Sequence, residues 1–533
     1  MSVDLLLIHP PVVRPSEPPL GAATLAGFLS DQGLRVEMLD LNVEAFHYLL
    51  NPGHGPTAGE EPPPWMEGFV PDQALDRFSR RALKNLPAAL RELRSPQILR
   101  HPDRYRAMIR VLERVLWLRS ARNGGPRVSL TDFRHPQLDP LQRRHLNQMA
   151  VSRAGGCLQT FMEERTGQVI LETRPRWVGI SVNYLSQILP AMALMGGIKA
   201  MRSDIRIVVG GSLITAWGER ILQGSRVNSW ADAWIRGPGE LPLARLLGRP
   251  LRRALGVHPP RYEGIPWSLY LSPERILPLT ATRGCYWGRC RFCPEATGRT
   301  GFRVMPPREI LGAMEEGMRQ NGAEWVHFMD NALPPKVLRG LARSRTGGQW
   351  FGFARFEEIL MERSFVRELF LSGCRMLQLG LESGSQRLLD AMGKGIDLKK
   401  ASRILETIHG EGIRTYVYVM FGMPGENLAE AQRTLAFVQG HASWIDHLNC
   451  SIMNLPQEAD GMEGIERFPF PGAGRDLSLY TDFRSAEGMD RRLARQFLER
   501  EFRRHPRVAE ILRRDPPAFT SSHAALFLPP RPA

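Results

Sequence analysis

Apolar residues recur along this chain in two alternations of short runs and helically spaced stretches. The first opens with VDLLLI, residues 3–8, which has the length and composition of a buried strand. PPLGAATLAGFLSDQG then reads as turn, helix and glycine stop, and VEMLDLN as a second strand. The pattern lapses near Phe46 and resumes at Trp177. There WVGISVNY is a strand, ILPAMALMGGIKAM a helix, IRIVVGG a strand, and DAWIRGPGELPLARLL a strand, turn and helix. Strands alternating with helices predict a parallel sheet in an α/β fold. Residues 1–50 and 166–250 thus form a discontinuous, doubly wound (Rossmann-like) domain. Residues 51–165, proline-rich at first (NPGHGPTAGEEPPPW) and then helical, are an insertion into it.

Residues 251–275 read as a linker, and from Leu277 the second alternation begins. Strands are predicted at ILPLTAT, EWVHFMD, QWFGFAR, RMLQLGLES, RTYVYVMFG and WIDHLNCSI, with helices at 307–320, 335–344, 361–372, 385–392, 398–410 and 427–440. Six βα units fall two short of a closed barrel, so residues 276–455 are expected to form an open, partial (β/α)6 barrel. The extension 456–533 reads as a loop, a basic helix and a tail carrying His523. Sites in such folds gather at the carboxyl ends of strands. Those ends carry a cysteine-rich loop after the first strand, Asp330 after the second, Arg355 after the third, Glu382 and Ser383 after the fourth, and Gly422 after the fifth.

Charge adds one question. The net charge is +15, and residues 77–150 hold 17 Lys/Arg against five Asp/Glu. Such a basic helical segment suits either a solvated cover or a polyanion such as nucleic acid. No recognised nucleic-acid motif accompanies it, which favours the cover. Apolar runs reach nowhere near the roughly eighteen residues a spanning helix needs, and the opening run of four, Leu5 to Ile8, is short for a signal peptide. The expectation is a cytoplasmic protein without a membrane span.

Candidate chemistry sits in TATRGCYWGRCRFCPEATG, where Cys285, Cys290 and Cys293 occupy nine residues. Structural zinc normally takes four protein ligands, often as two separated pairs, and no second CxxC or nearby His follows. A 4Fe–4S cluster takes one cysteine per iron, so three thiols leave one iron open to a small chelating molecule. The other three cysteines of the six read differently. Cys374 and Cys450 behave as small apolar residues, and Cys157 lies in a loop of the insertion.

Residues 277–453 resemble the radical S-adenosylmethionine (SAM) superfamily through this triad, through LQLGLESGSQRLLDAMGKG and through YVYVMFGMPGE. The usual triad is CxxxCxxC, whereas here four residues, Tyr286 to Arg289, separate the first two thiols. The resemblance implies a 4Fe–4S cluster on the three cysteines and SAM bound through its amino and carboxylate groups at the open iron. Cleavage of SAM then gives methionine and a 5′-deoxyadenosyl radical. It further implies SAM contacts from Phe292, Asp330, Asn331, Arg355, Glu382, Ser383 and Gly422, with Asp330 and Asn331 replacing a Gly-Gly-Glu triplet frequent in the family.

The amino-terminal domain resembles the cobalamin-binding domains that precede many such barrels. The matching segments are LLIHPPVVRPSEPPLGAATLAGFL, GISVNYLSQILPAMALMGGIKA, IVVGGSLIT and IRGPGELPLARLL. Ser181, Gly210, Gly211, Ser212, Gly237 and Glu240 are its expected cobalamin contacts, and DxHxxG, the source of a lower histidine ligand in some cobalamin proteins, is absent from these segments. Together the resemblances imply a cobalamin-dependent radical SAM enzyme that methylates an unactivated carbon, served by an electron donor such as flavodoxin or ferredoxin. Alternatives are a cyclase or rearrangement enzyme on the same scaffold, or a non-catalytic cobalamin- or nucleic-acid-binding regulator. Peptides, natural products, lipids and tetrapyrroles all remain open as substrates.

Overall fold

The computed structural model describes residues 2–51, 75–121, 124–152, 154–223, 226–249, 257–297, 301–459, 464–469 and 474–527. It divides into two compact units: residues 1–275 with 474–477 and 517–519, and residues 276–473 with 478–516 and 520–533. None of the helices within the described residues is long and apolar enough to cross a membrane.

In the first unit, β1 (Leu5–Ile8), β2 (Val36–Leu39), β3 (Trp177–Ser181), β4 (Arg206–Gly210) and β5 (Ala233–Trp234) form one parallel sheet. Its order is β2-β1-β3-β4-β5, so the winding reverses between β1 and β3. That reversal opens a crevice beyond the strands' carboxyl ends, the usual ligand position in doubly wound sheets. All four β1 residues are buried, as a central strand covered on both faces requires. The helix Leu185–Met201 is apolar around most of its circumference, and its residues 187–198 are all buried.

The described part of the insertion is helical, at Arg77–Leu93, Pro102–Ser120, Arg143–Val151 and Gly156–Thr173, with the proline-rich stretch at 52–64 outside the described residues. It packs on the sheet domain closely enough that a Cβ at Gly196 would lie 1.8 Å from the Ala150 carbonyl oxygen. Several of its arginines point inward. Arg119, 8% exposed, donates to the Leu49 and Asn51 carbonyls at the end of the helix Leu41–Leu50, where cations complement the helix dipole. Arg94 donates to the carbonyls of Leu269 and Tyr270. Residues 257–275 of the expected linker belong to this first unit and bury Tyr262, Tyr270 and Leu271; residues 251–256 lie outside the described residues.

The second unit is built on six parallel strands paired in chain order: β6 (Ile276–Leu279), β7 (Trp325–Leu333), β8 (Gln349–Ala354), β9 (Cys374–Glu382), β10 (Arg414–Phe421) and β11 (His447–Ile452). Helices Pro307–Asn321, Pro335–Ala342, Arg363–Leu371, Gln386–Ala391 with Leu398–Gly410, and Leu428–Gly440 connect them. Leu377, Leu379, Val417 and Leu448, at most 1% exposed, fill one face of the sheet. Gln378, Tyr416 and His447, paired in register, lie on the other face together with Gly380 and Tyr418. The carboxy-terminal segment covers the beginning of that second face. Asp515 pairs with His447 Nδ1 at 2.9 Å, Thr520 hydrogen-bonds to Tyr416, and the Ser521 carbonyl accepts from Gln378 Nε2 at 3.3 Å. His523 is fully buried in the same segment, and burial lowers its imidazole pKa to about 3. The sequence reads the start of the 456–533 extension as loop. The structure instead builds a three-stranded antiparallel sheet from Leu455–Pro456, Ile465–Phe468 and Tyr480–Ser485, short strands whose apolar residues do not alternate regularly with polar ones.

Candidate functional site

The second unit brings the cysteine loop, Arg355, Glu382 and Phe292 together at the carboxyl ends of its strands. Asp330 anchors the start of the loop. Its carboxylate accepts from the Ala281 and Thr282 backbone N–H groups and the Thr282 hydroxyl, with Thr280 Oγ1 at 3.3 Å, and it is 3% exposed. Burial still pushes its carboxyl pKa up against these bonds. Asn331 is the exposed member of the pair.

Beyond Thr282 the chain turns through Cys285, Cys290 and Cys293, with Gly288 at φ +58°, a left-handed conformation that glycine takes without a Cβ penalty. The Cys293 N–H donates to the Cys290 carbonyl at 3.1 Å. Cys290 is buried, which raises its thiol pKa, while the Lys394 and Arg355 cations facing it act in the opposite sense; Cys285 and Glu382 add to the rise. Among the described residues no group of three or more His, Cys, Asp or Glu is arranged to hold a metal ion. A cluster's cysteines each bind a different iron, and soft thiolates beside two cations suit an iron–sulfur group in donor type and charge.

Lys394 sits at the centre. Its Nζ donates to Glu382 Oε1 at 2.7 Å and lies 5.7 Å from the Phe292 ring centroid, and its carbonyl accepts from Arg355. Glu382 adopts φ +68°, a left-handed conformation that a non-glycine residue holds only when its surroundings require it. A register shift in the β9–β10 pairing falls between Gly380 and Glu382. A Cβ on Gly380 would lie 2.6 Å from Glu382 Oε1 and 3.0 Å from Lys394 Nζ, so the absent side chain makes room for the pair. Ser383 is buried away from this cluster and accepts from the Ser385 N–H at 3.1 Å. Sequence reasoning missed Lys394, Trp287 and Glu357; the GKG turn after the ESGS segment was the available signal.

Gly422, φ +79°, donates its N–H to Glu426 Oε2, which also accepts from Met423 N–H at 3.2 Å. Glu426 is buried and its carboxyl is pushed up to about 7 by desolvation. Its folded pKa exceeds the unfolded value of 4.5, so the stabilisation is present in full below about pH 4.5 and is lost as pH rises through 7. The shift corresponds to on the order of 3 kcal/mol. Amide exchange of the 419–430 segment, compared between the wild type and Glu426→Gln at matched pH, should show wild-type protection falling relative to the variant from pH 5 to 8. A constant difference would contradict this.

In the first unit the expected contacts line the crevice side of the sheet. Gly211 takes φ +116° and begins the helix Ser212–Trp217; a Cβ there would lie 2.3 Å from the Val182 carbonyl oxygen. Asn183, absent from the sequence-based expectation, ties two loops together: its Nδ2 donates to Ser181 Oγ at 3.1 Å and its Oδ1 accepts from Ser212 N–H at 3.0 Å. The Val182 N–H donates to the Gly210 carbonyl at 2.8 Å. Gly237, φ +72°, donates to Thr215 Oγ1, and Glu240 is buried at the start of the helix Glu240–Leu246. Beside β1 lie His9, buried and held toward its neutral form by desolvation, and Asp40, which accepts from the Tyr270 hydroxyl.

The six-stranded parallel sheet with its three-cysteine loop after the first strand lies in a segment, residues 279–438, that matches the family model for the Radical SAM superfamily. Among particular proteins, the chain is 24% identical over 314 residues to an uncharacterized methyltransferase of Pyrococcus horikoshii, covering 51% of this chain and 66% of that one. It is 28% identical over 177 residues to the bacteriochlorophyllide d C-12(1)-methyltransferase of Chlorobaculum tepidum, covering 31% and 38%. The chain thus spans only part of these curated relatives. In fold it is similar to the radical S-adenosylmethionine methyltransferase TsrM of Kitasatospora setae, solved with tryptophan substrate and a SAM analog. That likeness has a TM-score of 0.52 at 15% identity, over 88% of this chain and 79% of that one.

Proposed function

We propose that this protein is a cobalamin-dependent radical SAM enzyme that methylates an unactivated carbon. The observation that carries the reading is the loop of three thiols, seated after the first strand of a segment that matches the Radical SAM superfamily, with Lys394 and Arg355 beside Cys290. Cys285, Cys290 and Cys293 would hold a 4Fe–4S cluster, which when bound supplies the electron for reductive cleavage of SAM. Phe292, Arg355 and the Glu382–Lys394 pair border that position and would orient SAM, with Asn331 as the exposed polar group at the end of β7. The glycine-lined crevice of the first unit would receive cobalamin, since backbone at Gly210, Gly211 and Gly237 can approach a flat macrocycle without a side chain intervening. The methyltransferase relatives and the TsrM-like fold support this reading.

Protein reconstituted anaerobically with iron, sulfide and cobalamin, then reduced, should convert SAM to 5′-deoxyadenosine and also to S-adenosylhomocysteine. Release of 5′-deoxyadenosine without S-adenosylhomocysteine would favour the cyclase or rearrangement reading. Release of neither would overturn radical SAM chemistry here and leave the non-catalytic regulator. For the basic insertion we favour a cover, because Arg94, Arg119 and Arg114 are engaged within the unit.

A further inference from the structure

We infer that Trp287, in the lengthened interval of the cysteine loop, is a positioning residue that stakes this loop to the Gly393–Lys394–Gly395 turn, and so fixes the thiols in the arrangement a cluster needs. The inference rests on the radical SAM reading of the triad. Four contacts converge on the indole. Its Nε1–H donates to the Gly393 carbonyl at 2.9 Å. The Arg355 guanidinium lies 4.2 Å above its ring centroid, and that of Arg289 lies 5.2 Å away. The fourth contact is steric: a Cβ at Gly395 would sit 2.2 Å from the ring carbon Cζ2. Gly395 and Gly393 both have positive φ, +67° and +65°, which a side chain would strain. A Cβ on Gly393 would also lie 2.6 Å from the Arg289 carbonyl oxygen. The turn is therefore shaped as a slot, with the loop lying in it.

Two further bonds hold the flanks. The Arg291 N–H donates to the Met392 carbonyl at 3.0 Å, and the Tyr286 hydroxyl donates to Glu357 Oε1 at 2.7 Å. Residues 286, 287 and 291 are thus each tied to protein outside the loop, and between them they bracket Cys290. The four-residue interval is thus not slack, since Tyr286 and Trp287 within it are both tied to protein outside the loop. The same turn carries Lys394, whose ammonium pairs with Glu382 and faces Cys290. Trp287 therefore links the thiols to the polar groups placed for SAM. Partners that orient metal ligands typically contribute about 10- to 100-fold in metal retention.

The test is cluster chemistry, read without turnover. Full-length wild type, Trp287→Ala, Trp287→Phe and Gly395→Ala are reconstituted with iron and sulfide, and each is examined by iron and sulfide content, by the electron paramagnetic resonance of the reduced cluster, and by the rate of bleaching in air. Trp287→Ala should bleach about tenfold faster or more and give a shifted or broadened resonance. Trp287→Phe keeps the ring in the slot beneath Arg355 and should restore most of the wild-type signature. Gly395→Ala, which closes the slot with the tryptophan present, should reproduce the alanine variant's spectrum. Adding Trp287→Ala to it should make matters little worse, since both changes break one contact. An unchanged resonance and bleaching rate in Trp287→Ala, with only thermal stability reduced, would show that the indole is packing alone. Loss of iron in the phenylalanine variant equal to that in the alanine variant would overturn the slot.

Discussion

Replacing Cys285, Cys290 or Cys293 with Ala, one at a time, should abolish the brown chromophore and all SAM cleavage, whereas Cys374→Ala should retain both. The contrast follows from placement. Cys374 is fully buried at the start of β9, where desolvation drives its thiol pKa well up and keeps it neutral, so it acts as a small apolar side chain. The triad instead occupies a loop at the opposite ends of the strands, where the Lys394 and Arg355 cations beside Cys290 oppose the rise that burial causes in its thiol pKa. With one cysteine per iron, loss of any one leaves a second iron without a protein ligand. Iron and labile sulfide should fall from about four of each per chain toward background in each of the three variants. Retention of stoichiometric metal without sulfide in any of them would point to a mononuclear site instead.

A second large effect is expected from Gly211→Val. At φ +116°, with the Val182 carbonyl 2.3 Å from where a Cβ would stand, the position admits no side chain without separating the loops after β3 and β4. Asn183 holds those loops together through Ser181 and Ser212. The variant should retain essentially no cobalamin after desalting, against about one per chain for the wild type, while iron and sulfide uptake by the other unit is unchanged. Equal retention by Gly211→Val and wild type would remove cobalamin from this crevice.

The alternation of strands and helices was legible because parallel strands buried on both faces are short apolar runs with glycine and polar residues at their ends. The six strands of the second unit fall where ILPL, WVHFMD, QWFGFA, MLQLGLE, TYVYVMF and HLNCSI stand in the sequence. The triad was legible because its chemistry is local. Partnerships closed across the sheet were not. Lys394 lies twelve positions beyond Glu382, past an intervening helix, and nothing in the spacing announces an ion pair. Trp287 reads as an aromatic in a loop until the positive-φ turn that receives it is known. Asp330 is expected from the sequence to contact SAM, yet its carboxylate is taken up by backbone donors from 281 and 282, a use that depends on how β6 ends beside β7.

The contacts of Asp515, Thr520 and Ser521 with His447, Tyr416 and Gln378 bear on how the chain comes off the ribosome. The six strands are complete once residue 452 has been translated, but the start of one face of their sheet, at Gln378, Tyr416 and His447, lacks these partners until about seventy more residues follow. Contacts of such long sequence separation form late, and a sheet face that presents the rings of Tyr416 and Tyr418 to solvent is a surface through which nascent chains associate. Nascent chains stalled between residues 460 and 510 should therefore engage holdase chaperones strongly and release them once residues 515–523 emerge. Production of this protein would gain more from slower translation and low temperature than from a stronger promoter.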